Sequence, residues 1–140
     1  MLKTIVILSV SAFAIFALAC GNNSTSGTAG KTIKSGPVGS LNVTLSSSDG
    51  VLRKGKQNLI VTFADASGKP VDVGSASLNF FMPAMGSMAA MNNPATLTTT
   101  STPGVYNATV DLEMSGEWQA QVTFDGPAGK GRGNLPVTAQ

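Results

Sequence analysis

A run of methionines is the part of this sequence best suited to chemistry. The chain contains six methionines, and four of them follow one another at intervals of three in the stretch 82–91. A thioether is a soft, uncharged donor, so several of them converging on one point select Cu(I) or Ag(I) over Zn(II), Ca(II) or Mg(II). A fifth methionine precedes a predicted Ser-Gly turn. The candidate metal ligands are therefore Met82, Met85, Met88, Met91 and Met114.

Two other interpretations of the same methionines stay open. Pro83 and Gly86 disfavour a helix, and Asn92-Asn93-Pro94 closes the stretch, so it is predicted to be a loop whose side chains gather outside the strand core. The methionines could be pliable packing over the open end of the domain, a role that suits a flexible thioether. They could also form a surface that docks a protein partner.

The sequence contains few residues of the types that catalyse reactions. The chain has no histidine, which excludes Ser-His and Cys-His pairs and HExxH zinc sites. The seven acidic residues are scattered over predicted turns and strand ends, where no two of them are placed as a general acid and base. We therefore expect a protein that is not an enzyme.

The charge pattern argues against nucleic-acid binding. Charged residues make up 11% of the chain, with nine basic and seven acidic side chains. The only basic cluster, Arg53-Lys54-Gly55-Lys56, is too short to follow a phosphate backbone. We expect no nucleic-acid partner.

The first twenty residues have the composition of an export signal. Lys3 is followed by an apolar run from Ile5 to Ala19, which is shorter than the ~20 residues of a membrane span and typical of a signal peptide. The sequence 17–21, Ala-Leu-Ala-Cys-Gly, resembles the lipobox of bacterial lipoproteins, although leucine is usual where Ala17 stands. We predict a signal peptide over 1–19, a lipidated Cys20 and a lipid-anchored, extracytoplasmic protein of the bacterial cell envelope. An ordinary secretory signal cut near Ala19 is the alternative.

The composition then changes twice along the chain. Residues 20–39 are rich in Gly, Ser, Thr and Asn and have no hydrophobic periodicity, which predicts a flexible linker after the lipidated cysteine. Residues 40–140 alternate apolar and polar side chains between turns that contain Gly or Pro, which predicts one folded domain.

The alternation in that domain has the period of β-strands. Six runs show it, and Leu97 marks a seventh strand. The apolar positions of the six runs are Leu41, Val43, Leu45; Leu59, Val61, Phe63; Ala76, Leu78, Phe80; Tyr106, Ala108, Val110, Leu112; Trp118, Ala120, Val122, Phe124; and Leu135, Val137. We predict an all-β fold, an immunoglobulin-like antiparallel β-sandwich of about seven strands. Trp118 is expected in the core, its indole N–H bonded to backbone or water.

Several short motifs occur in the order found in a known family. They are Gly55 with Asn58-Leu59, Gly68-Lys69-Pro70-Val71, Met82-Pro83-Ala84-Met85, Pro103-Gly104-Val105-Tyr106 and Met114-Ser115-Gly116-Glu117-Trp118. With these motifs the stretch from Lys54 to Thr138 resembles the YtkA-like domain, which is related to FixH proteins. The resemblance implies a small immunoglobulin-like sandwich of the bacterial envelope, associated with heavy-metal efflux components or with assembly of copper-containing oxidases.

The resemblance therefore implies a metal-linked context. It extends to Met82 and Met85 directly, and Met88 and Met91 continue the pattern. The leading hypothesis is a membrane-anchored binding module that holds or hands over Cu(I), or another heavy metal, through its methionines. The alternative is a non-catalytic interaction module that docks on a transporter subunit or an oxidase assembly factor.

Overall fold

The computed structural model describes residues 30–140, which form nine β-strands. The strands are β1 (Lys31–Val38), β2 (Leu41–Ser47), β3 (Gly55–Ala64), β4 (Ser75–Met82), β5 (Met91–Pro94), β6 (Thr96–Thr99), β7 (Val105–Leu112), β8 (Gly116–Gly126) and β9 (Gly129–Ala139). Within this part of the chain, no helix is long and apolar enough to cross a membrane. The predicted signal peptide, Cys20 and the first half of the predicted linker lie outside the described residues.

The strands form two antiparallel sheets. One sheet has the order β1-β2-β3-β7-β6, and the other has the order β5-β4-β8-β9. The predicted all-β sandwich is confirmed. The described residues contain nine strands instead of about seven, because β1 and β5 have no clear apolar alternation in the sequence.

Strand β1 corrects the predicted linker, which ran to residue 39. Residues 31–38 instead pair along β2, and Val38 is buried in the core. The absence of a side chain at Gly36 lets β1 lie close to β9, since a Cβ built there would lie 2.7 Å from a Leu135 methyl carbon. The strand packs on β9 by close approach and not by a row of large apolar side chains.

The predicted alternation places the core correctly. In β8, Trp118, Ala120 and Val122 are buried, while Glu117 and its alternate neighbours face outward. Three aromatic rings pack together in the core where β3 and β8 finish and β7 starts. Phe63 meets Tyr106 and Phe124 edge to face, with ring centroids 5.6 Å and 5.7 Å apart respectively, an arrangement that adds to the burial of apolar area.

The two ends of the sandwich differ. At the first, which we call the methionine end, β4 finishes at Met82, β5 starts at Met91 and β8 starts at Gly116. At the opposite end, β1 turns into β2 through Gly39-Ser40, and β3 finishes at Ala64. The five methionines predicted as metal ligands all belong to the methionine end.

Candidate functional site

The predicted methionine loop extends the hairpin of β4 and β5, and we call residues 79–94 the methionine hairpin. Its register runs without a shift from the pair Asn79–Pro94 through Met82–Met91 to Met85–Met88. Met85 and Met88 exchange both backbone N–H···O=C hydrogen bonds, with N···O distances of 3.1 and 2.9 Å. These two residues therefore flank a two-residue turn, which residues 83–84 and 89–90, outside the strands, connect to the ladder of β4 and β5.

Glycine makes that turn possible. Gly86 has a φ of +56° and occupies the first central position, while Ser87 has a negative φ. A positive φ at the first central residue alone fits a type II′ turn, whose twist matches that of paired strands. The turn fixes the backbones of Met85 and Met88 opposite each other.

The hairpin presents its methionine pairs to opposite sides. Met82 and Met85 are three residues apart, an odd spacing that puts them on opposite faces, whereas directly paired residues share a face. The burial agrees, since Met82 is 1% exposed and Met85 and Met88 are 56% and 42% exposed. The expectation that all these side chains gather outside the strand core is therefore wrong for Met82.

Three methionines form a group at the base of the hairpin. Met91 and Met114 are half-buried and pack against the core. The terminal methyl of Met82 lies 3.3 Å from the position a Cβ would take on Gly116, just after Met114. Trp118, which is buried as predicted, donates its indole N–H to the Met114 carbonyl oxygen at 3.1 Å. We call Met82, Met91 and Met114 the base group.

The remaining two methionines form a separate pair at the turn. A strand rises by about 3.3 Å per residue, which puts the backbone of Met85 roughly 10 Å beyond that of Met82. Met82 is buried in the core, so the five predicted ligands are not equally accessible to an ion. We call Met85 and Met88 the tip pair. Within residues 30–140 these two are the large hydrophobic side chains that are exposed.

Met85 of the tip pair lines a groove beside the outer face of β8 and β9. The groove has a volume of about 680 Å³. Its lining residues are Lys34, Pro83, Met85, Glu117, Trp118, Gln119, Pro136, Val137 and Thr138. The lining is mostly uncharged, with one cation and one anion, so the groove has no strong preference for either sign of charge.

A buried amide near the base group was not predicted. Asn93 is 9% exposed, and within the described residues its side-chain oxygen has no hydrogen-bond partner. It lies two residues after Met91 on β5, and so on the same face. The sequence Asn92-Asn93-Pro94 predicts the end of a loop, and no pattern in it indicates a strand that turns an amide inward.

The carboxylates offer no competing site. Within residues 30–140, no three His, Cys, Asp or Glu side chains lie close enough together to hold a metal ion. A hydrogen bond from the Arg53 guanidinium, 2.6 Å away, lowers the pKa of Asp49 to about 2. The Ser67 hydroxyl and the Lys69 backbone N–H likewise lower the pKa of Asp65. Both carboxylates stabilise turns.

Comparison with known proteins identifies one family. Residues 37–123 match the model of the YtkA-like family, a stretch that includes the methionine hairpin and most of β8. Neither a curated protein nor a solved structure matches the chain.

Proposed function

The chain belongs to the YtkA-like family, and from this premise we propose that it is a membrane-anchored binding module of the bacterial envelope that holds or hands over Cu(I). The observation that carries the proposal is the tip pair. Two exposed thioethers stand opposite each other on a hydrogen-bonded hairpin. The anchor is the predicted lipid on Cys20.

The donor chemistry of the tip pair suits a soft monovalent ion. Side chains opposite each other in an antiparallel ladder have Cβ atoms about 5 Å apart, and the long methionine side chains can bring two sulfur atoms to one ion from there. No charged residue occurs in 83–90, so a hard divalent cation finds no carboxylate at the turn. Cu(I) and Ag(I) accept neutral thioether donors.

The exposure of the five methionines favours Met85 and Met88 as the ligands. Met85 and Met88 need no change in the fold to bind an ion, whereas Met82 would have to leave the core. Met91 and Met114 are half-buried and could join only after their side chains repack. A site with two protein donors leaves positions open for a second ligand, which is the arrangement needed to pass an ion on.

Competition with a Cu(I) chelator, using the full-length chain, tests the proposal. We expect Met85→Leu with Met88→Leu to weaken Cu(I) binding by at least about tenfold, equivalent to about 1.4 kcal/mol. The matched control is Met82→Leu with Met91→Leu, which removes the same number of sulfur atoms from the base group. It should leave the affinity within about twofold, since leucine replaces methionine in a core at little cost. Wild-type binding by the tip variant would contradict the proposal.

The pH dependence of the Cu(I) affinity distinguishes binding by the methionines from binding by Cys20. A thioether has no proton to displace, so the affinity for Cu(I) should be equal at pH 5 and pH 7.5. A free Cys20 thiol would bind more weakly at pH 5, because protons compete for the thiolate. A steep fall at pH 5 would assign the metal to Cys20, and it would also argue against lipidation.

One further result would favour the alternative, a protein-interaction module. In that case the isolated protein would bind no Cu(I), and a partner captured from envelope membranes would be retained equally with and without chelator. The groove beside Met85 would then be the contact surface to test by substitution.

A further inference from the structure

The described chain begins at the methionine end of the sandwich. Lys31 pairs with Ser47, where β2 finishes, and a Cβ built on Gly50 would lie 3.0 Å from the Lys31 Cβ. Two residues later, Leu52 forms a parallel bridge with Ala139. The start of β1 is thereby connected to the end of β9.

The same row of contacts continues to the hairpin. Ala139 pairs with Gly116 on the other side of β9, and the Met82 methyl lies against Gly116. Gly30 and the methionine hairpin therefore share one end of the sandwich, although the hairpin begins at Asn79, far from Gly30 in the sequence.

The hairpin tip at that end has an unusual surface. All residues from Pro83 to Ala90, which we call the hairpin tip, are exposed, and none is charged. The sequence is Pro-Ala-Met-Gly-Ser-Met-Ala-Ala. Such a concentration of exposed apolar side chains on one projecting turn is typical of a contact surface.

The length of the intervening chain limits where a lipid on Cys20 could be. Ten residues lead from Cys20 to Gly30, and ten residues span at most about 36 Å. The sandwich itself is about as long, since the 11 residues of β8 extend roughly 37 Å. The opposite end could face the bilayer only if this segment ran fully extended along the domain.

We propose that the hairpin tip lies in the interfacial region of the bilayer that holds the lipid anchor. This inference rests on the anchoring part of the proposed function and not on metal binding. Because the anchor confines the domain near the surface, its effective concentration there is high, and a weak apolar contact is enough to keep the tip docked. Any ion held by the tip pair would be exchanged at the membrane surface.

Charge contributes little to this contact. Among the described residues in or beside the turns of the same end, Arg53 is paired with Asp49, and the remaining basic residues exceed the acidic ones by one. The basic residues are Lys31, Lys34, Lys54 and Lys56, and the acidic residues are Asp111, Glu113 and Glu117. The tip should therefore dock equally on zwitterionic and anionic lipid, unlike a polybasic segment.

Two matched turns allow a sharp experiment. Ser87 and Ser40 are both exposed, and each follows a glycine of positive φ in a two-residue turn, at opposite ends of the sandwich. The full-length lipidated chain with Ser87→Cys or Ser40→Cys is labelled with an environment-sensitive fluorophore and bound to phosphatidylcholine vesicles. We expect blue-shifted emission and quenching by nitroxide lipids for the Ser87→Cys label only. Adding Met85→Ser and Met88→Ser should reduce the quenching without reducing flotation of the protein with the vesicles.

Each failure has a distinct meaning. If the protein floats with vesicles but the two labels give the same spectra, the docked tip is excluded while the anchor stands. If the protein does not float, the anchor fails and the inference fails with it. If the Ser87→Cys label is shielded in native envelope membranes but not in pure lipid vesicles, the tip contacts a membrane protein and the lipid contact is wrong. A requirement for phosphatidylglycerol would exclude a purely apolar contact.

Discussion

Two turns of this molecule have the same residues and opposite surroundings. Gly39-Ser40 joins β1 to β2, and Gly86-Ser87 closes the methionine hairpin, with glycine φ values of +61° and +56°. The residues that flank the first turn, Val38 and Leu41, are 1% and 7% exposed. Those that flank the second, Met85 and Met88, are 56% and 42% exposed.

The difference shows that the glycines serve the same purpose in both turns, whereas the flanking side chains do not. The local backbone problem is the same, since both turns need a residue that accepts positive φ. At the first turn the flanking side chains pack into the core, and at the second they are exposed to solvent. Large apolar side chains held away from a core at an ordered turn are available for binding, which is why the function is proposed at the second turn.

Truncating the flanking side chains should give the largest contrast. Leu41→Ala should lower the free energy of unfolding by about 2–5 kcal/mol, because it leaves a cavity in the core. Met85→Ala should change it by no more than about 0.5 kcal/mol, as expected for an exposed side chain. Urea denaturation followed by the fluorescence of buried Trp118 measures both. Similar losses in the two variants would mean that the tip pair packs against the fold.

Adding a methyl group to each turn glycine tests the turns themselves. Gly86→Ala should cost about 1–2 kcal/mol, the usual penalty for an L-residue at positive φ, since nothing lies within 4 Å of the added Cβ. Gly39→Ala should cost more, because its Cβ would lie 3.1 Å from the Gly131 Cα and 3.4 Å from the Phe124 ring. Thermal unfolding measures the loss of stability in both variants. Equal losses would show that backbone strain at positive φ accounts for the whole effect and that the contacts of the Gly39 Cβ add nothing.

Acid should lower the local stability near the first turn but not at the second. We expect this effect to be smaller than those of the substitutions. The pKa of Asp65, in the loop that lines a groove with Gly39 and Ser40, is lowered by hydrogen bonds. A lowered pKa gives stability that is present above the unfolded value of about 3.9 and is lost as the pH falls through the folded value. Residues 83–90 contain no titratable side chain. Amide hydrogen exchange, corrected for its intrinsic pH dependence, should therefore lose protection near Asp65 below about pH 4, with none lost at the Met85 and Met88 amides.

Most of the fold could be predicted from the sequence, and the exceptions have a common cause. The strands with regular alternation, such as β3 and β8, are present where the pattern indicated. The sequence predicts a linker where β1 lies, because Gly36 and Pro37 interrupt any alternation and Gly36 packs by close approach of Leu135. It predicts a loop where β5 lies, since Asn92, Asn93 and Pro94 are turn-forming residues that the hairpin register holds in a strand.

The candidate site was predicted less completely than the fold. Four methionines within the stretch 82–91 predict a cluster, and their spacing of three is what divides it, because an odd step along a strand changes the face. The division could not be made without knowing that Met85 and Met88 pair in the same register as β4 and β5. Once the register is known, Met82 must face the core and Met85 must face solvent.

The sequence by itself determined the all-β class, the position of most strands, the family and the supply of soft sulfur donors, because these depend on local composition and period. The tertiary structure decided which sulfur atoms are accessible and which end of the sandwich carries both the methionine hairpin and the start of the described chain. Those properties depend on strand pairing between residues distant in sequence, such as Lys31 with Ser47 and Ala139 with Gly116. Local patterns carry no information about which distant strands pair.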